Sequence, residues 1–175
     1  PAHYAFAGDL DGDGRDEIVM SSSVRHSAGW EPGSMYVLSA DGVPLWRKSI
    51  LPDITAHDVH IDDAVIASIV PESDGHKQLV TASGGCVFDA DGTLRWSLEA
   101  ALEHGQWVAA ADLLPAHAGL ELVLTQYHVV GAPVTLATAD GVIRWHYRDW
   151  NEETMLTRGC CVDWHGDGHK QIVVG

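Results

Sequence analysis

Cationic side chains are scarce in this 175-residue chain: 10 Lys and Arg stand against 25 Asp and Glu, giving a formal net charge of −15 at pH 7. Phosphate backbones are held by clusters of Lys and Arg, and the lack of any such cluster argues against a nucleic-acid partner. Cysteine is rare too. Cys86, Cys160 and Cys161 lack the paired spacing of a zinc site and support no disulfide framework. Neighbours on a strand point to opposite faces, so at least one of Cys160 and Cys161 is expected to be plain core packing. No apolar run approaches the roughly 18 residues of a membrane helix. Helical periodicity is scarce, and there is neither a Gly-x-Ser-x-Gly elbow nor a phosphate-cradling loop ahead of a helix. Hydrolase triads and nucleotide enzymes are therefore disfavoured. What remains is a chain 46% hydrophobic, long enough for a sizeable core and acidic enough to favour cations.

Repetition is what the sequence does contain. Ala-Asp-Gly-x-x-x-Trp occurs at Ala40 to Trp46, Ala90 to Trp96 and Ala139 to Trp145, with spacings of 50 and 49 residues between the tryptophans. Upstream of these, short apolar runs recur at Glu17-Ile18-Val19, Gln78-Leu79-Val80, Glu121-Leu122-Val123 and Gln171-Ile172-Val173. A period of about 50 residues suits a four-stranded propeller blade. The expected fold is all-β, a partial β-propeller of about three and a half blades, over residues 5–48, 61–98, 106–148 and 158–175. Asp-Gly at each repeat predicts a two-residue hairpin turn. The three repeat tryptophans are expected to be structural. Because closed propellers need roughly four to eight blades, the chain is read as a segment, its open faces covered by remaining blades of a parent chain or by another copy.

The sharpest chemical motif is Asp9-Leu10-Asp11-Gly12-Asp13-Gly14-Arg15-Asp16-Glu17. Carboxylates of Asp9, Asp11, Asp13 and Glu17, with the backbone carbonyl of Arg15, have the alternate spacing that wraps one Ca2+. Four acids so close repel one another without a counter-ion. The twelfth position of an EF-hand holds Met20, so the loop runs into a strand instead of a helix. Blade four keeps only Asp163 and Asp167 of this pattern. Trp30 and Trp150 lie outside the repeat and are candidates for stacking on sugar rings.

Gly8-Asp9-Leu10-Asp11-Gly12-Asp13-Gly14 with Glu17-Ile18-Val19 resembles the FG-GAP/VCBS class of propeller repeats, found in integrin heads and secreted bacterial proteins. A narrower resemblance covers residues 103–175. His104-Gly105, Ala111-Asp112-Leu113, Pro115, Gly119-Leu120-Glu121 and Arg158-Gly159 look like the blades of rhamnogalacturonan lyases of polysaccharide lyase family 11. Gln106 departs from the acidic residue that tends to follow His-Gly there. The resemblance implies a secreted or cell-surface, calcium-binding enzyme acting on an acidic, rhamnose-containing polysaccharide.

Such a lyase removes the proton beside a uronate carboxylate, which a cation or Arg neutralises while a His or activated Tyr takes the proton. His104, Arg158, Tyr127 and His128 are the candidates, with His57 as a substrate contact from the His57-Asp58-Val59-His60 cluster. The competing expectation is a non-catalytic FG-GAP/VCBS propeller that binds carbohydrate or protein, since one fold serves both.

Overall fold

Alternation of side chains is the local signal that becomes strand: residues 17–22 run buried, half-buried, buried along their length, because successive residues leave opposite faces. The computed structural model describes residues 2–22, 25–26, 29–30, 34–49, 61–71, 75–98, 102, 104–126, 133–148 and 157–175. Blade one begins with β1 (Ala2–Gly8) and β2 (Glu17–Ser22). The long connection after β2 carries a two-residue ladder of β3 (Arg25–His26) and β4 (Gly29–Trp30). β5 (Ser34–Leu38) and β6 (Pro44–Ser49) complete a sheet of order β1-β2-β5-β6. Blade two comprises β7 (Ala64–Ala67), β8 (Gln78–Thr81), β9 (Val87–Phe88) and β10 (Leu94–Trp96), with a short 3-10 turn at Ser83–Gly85. Blade three is β11 (Gly105–Ala111), β12 (Glu121–Gln126), β13 (Val134–Ala137) and β14 (Ile143–Tyr147), and β15 (Gly159–Val162) with β16 (Gln171–Val174) forms half of a fourth. All pairings are antiparallel. Among the described residues there is no α-helix, and none long and apolar enough to cross a membrane.

The first strands of successive blades lie side by side. A Cβ on Gly8 of β1 would stand 3.1 Å from Ile66 on β7. Asp63, just before β7, accepts the Val108 N–H of β11 at 3.2 Å, and Gly159 of β15 abuts the Trp107 ring on β11. The later strands fan outward from this row. This is the all-β, partial propeller architecture that the repeats predict. Its core lies between blades: Leu10, Val19, Met35 and Val37 of blade one pack on Ile61, Leu79 and Phe88 of blade two. Val80, Val87 and Ala82 of blade two pack on Val108, Leu122 and Leu124 of blade three. Cys86 is buried in the first of these layers, Cys161 packs against a third, and Cys160 is exposed.

The hairpin turns differ from the two-residue form expected of Asp-Gly. Gly141 N–H bonds Thr138 O at 2.8 Å and Thr138 N–H bonds Val142 O at 3.0 Å, which encloses three residues, Ala139, Asp140 and Gly141. The same pair of bonds recurs at Ser39 to Val43 and at Asp89 to Thr93. Glycine at the third place takes a φ of 78 to 82° at Gly42, Gly92 and Gly141, the left-handed conformation that closes a bulged three-residue loop. The Ala is thus part of the turn, and its carbonyl is free to be used. Trp46 Nε1 donates to Ala90 O at 2.8 Å, and Trp96 Nε1 donates to Ala139 O at 3.1 Å. Each tryptophan ring also lies against the turn glycine of the next blade, Gly92 or Gly141. Trp145 is 41% exposed.

Candidate active site and metal loop

The two candidate sites sit at opposite ends of the first strands. At the entry end, Asp62 and Asp63 precede β7, His104 precedes β11, Arg158 precedes β15, and Tyr4 lies near the start of β1. The parallel row of first strands brings these positions together although they come from four blades. His104 Nε2 and Asp62 Oδ2 are 3.0 Å apart, with both side chains largely buried. Arg158 Nη1 lies 3.9 Å from Asp63 Oδ2; the Arg side chain is 62% exposed and the Asp 11%. Burial first, and then the nearby Asp63 carboxylate as acceptor and as charge, push the Tyr4 phenol up to about 12, against smaller opposing effects of the Ala64 N–H and Arg158.

Glycine follows His104 and Arg158 for a steric reason. A Cβ on Gly105 would lie 1.9 Å from the Ala82 carbonyl oxygen, and one on Gly159 would lie 2.7 Å from Val173 O. His104 and Arg158 are therefore carried on backbone pressed against the neighbouring strand. The sequence pairs His104-Gly105 and Arg158-Gly159 mark this close approach. Tyr4, Asp62 and Asp63 went unnoticed in the sequence because no motif surrounds them. Their signal was positional: Asp63 stands before its first strand as His104 and Arg158 stand before theirs.

Of the other sequence candidates, Tyr127, His128, Trp150 and His57 lie outside the described residues. Trp30 belongs to β4, paired with Arg25. Trp107 is buried, while Trp164 on the blade-four loop is 70% exposed.

At the far end of β1 the acidic loop brings Asp9, Asp11 and Glu17 together, with one carboxylate oxygen of each within 4.8 Å of the others. Oxygens on opposite sides of a Ca2+ ion stand up to about 5 Å apart, so the trio fits that ion. Asp13 falls outside this trio and accepts the Arg15 N–H at 2.7 Å. The Arg15 side chain pairs with Asp41 at 3.1 Å. The loop is shaped by its own side chains: Asp9 accepts Gly12 N–H at 2.8 Å, Asp11 accepts Asp13 N–H at 3.0 Å, and buried Glu17 accepts Leu10 N–H at 2.8 Å. Blade two reaches into it. Lys77 Nζ donates to Asp9 O at 2.8 Å and stands 3.3 Å from Asp9 Oδ2. Burial alone would raise the Asp9 pKa, but the Lys77 ammonium and the Gly12 N–H outweigh it and hold the carboxyl below its usual range. In blade four, Asp163 is likewise held low, chiefly by the Gly168 N–H, and no third acid joins it among the described residues.

Asp9 stands five positions after Tyr4, just past the end of β1, roughly 17 Å away at the rise of a strand. The acidic loop therefore stands well apart from the entry-end residues.

No family model matches the sequence, and no curated protein matches it. Among solved structures the chain is similar to a Bacillus licheniformis rhamnogalacturonan lyase PL11, with a TM-score of 0.53 and 15% identity over 99% of this chain and 44% of the lyase. It also matches the exotype rhamnogalacturonan lyase YesX (TM-score 0.45, 18% identity, 91% of this chain and 40% of that one). The V. cholerae biofilm matrix protein Bap1 aligns with a TM-score of 0.35 and 17% identity, over 83% of this chain and 28% of that protein. The chain thus spans less than half the length of the lyases it matches, and the likeness to the PL11 lyase is one of fold.

Proposed function

We propose that this chain is part of an extracellular or cell-surface polysaccharide lyase that cleaves an acidic, rhamnose-containing glycan by β-elimination. The observation that carries the reading is the meeting of His104, Asp62, Asp63, Arg158 and Tyr4 at one end of four adjacent strands. A base and a carboxylate-binding cation on one rim are what proton abstraction beside a carboxylate requires. Asp62 orients the His104 ring through the 3.0 Å contact. The imidazole takes the proton on the carbon bearing the carboxylate. The electron pair left behind forms the new C=C bond as the glycosidic C–O bond breaks, and the departing oxygen gains a proton. Arg158 pairs with the substrate carboxylate while negative charge builds on it. The fold similarity to a rhamnogalacturonan lyase supports the substrate class.

Asp9, Asp11 and Glu17 would hold Ca2+, which when bound ties the blade-one loop together; Asp13 and the Arg15 carbonyl complete the expected ligand set. Lys77 already supplies part of the counter-charge. The test is the ultraviolet absorbance of unsaturated uronate, followed on rhamnogalacturonan and on ulvan with and without a calcium chelator. His104→Gln is expected to lower the rate by about 100-fold or more. The second reading, a carbohydrate-binding propeller without catalysis, draws support from Trp164, 70% exposed on its loop. It predicts binding of the same glycans with no new absorbance.

A further inference from the structure

The residue that holds the entry-end cluster together is neither of the two the chemistry names. Asp63 sends its carboxylate toward three blades and its backbone into its own. Oδ2 accepts Val108 N–H of blade three at 3.2 Å and faces Arg158 Nη1 of blade four at 3.9 Å. The carboxylate also helps to raise the pKa of the Tyr4 phenol from blade one, while its own carbonyl accepts Ala82 N–H of blade two at 2.9 Å. Resting on the lyase reading, we propose that Asp63 is a positioning residue that fixes the Arg158 guanidinium, and with it the Tyr4 phenol, for a substrate carboxylate.

The physical reason lies in the contrast of exposure. The Arg158 side chain is 62% exposed, and a long cationic stem in water samples many rotamers unless something anchors it. Asp63 is 11% exposed at its side chain, and an enclosed carboxylate needs donors around it. The Val108 N–H donates to it at 3.2 Å and the Arg158 guanidinium faces it. One guanidinium nitrogen faces Asp63, which leaves the other donors of the fork for an incoming anion. Asp62 and His104 stand beside this group as a separate pair, so the acid that orients the base and the acid that orients the cation are distinct. The Tyr4 phenol, held above its ordinary pKa by burial and by Asp63, remains a neutral donor at working pH.

The test uses Asp63→Asn, whose amide oxygen can still accept the Val108 N–H, so the fold is expected to survive with an unchanged melting temperature. On rhamnogalacturonan, kcat/KM is expected to fall about tenfold, the effect of one weakened charge-assisted contact. In an Arg158→Ala background the same substitution adds nothing further, because its effect runs through Arg158. The Tyr4 midpoint, isolated by subtracting the phenolate absorbance of Tyr4→Phe, is expected to fall from about 12 toward 10. Asp63→Glu, which restores the charge, recovers part of both effects. An unchanged kcat/KM, a penalty that adds in full to that of Arg158→Ala, or an unmoved Tyr4 midpoint overturns the proposal. If the wild-type chain makes no unsaturated product, the lyase reading is what fails. The Tyr4 midpoint and the Arg158 guanidinium resonance in Asp63→Asn then decide the positioning role: shifts in both sustain it and no shift in either removes it.

Discussion

One side chain recurs in the same job in all four blades. At the head of each second strand a Glu or Gln accepts N–H groups from the preceding loop. Gln78 takes those of Ile69 and Val70 at 2.9 and 3.2 Å, Glu121 those of Leu113 and Leu114 at 2.8 and 2.9 Å, and Gln171 that of Trp164 at 2.7 Å. Glu17 does the same for Leu10. A neutral amide therefore serves as well as a carboxylate. At Glu121 the second oxygen, Oε1, is buried without a protein partner, a state that costs stability. Glu121→Gln is expected to hold or raise the melting temperature, and a drop of several degrees would contradict this account. Glu17→Gln should leave the fold standing but abolish most of the rise in melting temperature on adding Ca2+, a gain of about 2.7 kcal/mol at one hundred times Kd in the native loop. Tyr4 gives a pH signature. Its folded pKa of about 12 lies above the ordinary 10, so the stability it contributes is complete below about pH 10 and drains away as pH rises through 12. Thermal melts across that window should fall more steeply for the native chain than for Tyr4→Phe.

At the scale of the element, the outer-strand tryptophan and the turn of the next blade act as one clasp. Trp96→Ala removes the ring that packs on Gly141 and the bond to Ala139 O, and is expected to cost about 3 kcal/mol, the lower end for a large aromatic because the ring is only partly buried. Trp145→Ala, at a residue 41% exposed, should cost far less, and chemical denaturation of the two variants compares them directly. Much of this element was legible beforehand. The Ala-Asp-Gly-x-x-x-Trp spacing located the hairpins and the tryptophans because turn chemistry and strand length are local. The three-residue form of the turn was not legible, since it depends on a bulge between Leu136 and Ala137 in the paired strands. Asp9, Asp11 and Glu17 could be read as a cation cradle because the loop is contiguous. The pairing of His104 with Asp62 could not, because it exists only once blades two and three pack against each other.

For the whole molecule the dominant quantity is its net charge of −15. A chain this acidic repels a polyanionic glycan at long range. Screening within a Debye length of about 10 Å at 0.1 M salt should relieve that repulsion. Binding of rhamnogalacturonan is therefore expected to strengthen as salt rises from very low concentration, opposite to a site built on basic clusters. Titrations at increasing sodium chloride would show the sign. The clasp also has a grammar at this scale. Trp46 and Trp96 each reach forward and are received; among the described residues a Cβ on Gly42 would meet nothing within 4 Å, whereas Gly92 and Gly141 each lie beneath a ring. The joints between blades one and two and between blades two and three thus each have a giver and a receiver, which gives that row a polarity. Blades joined by this rule follow one another head to tail, each offering its ring in the same rotational sense, and heterologous joints of this kind close into a ring where the rotation allows and otherwise continue as an open series.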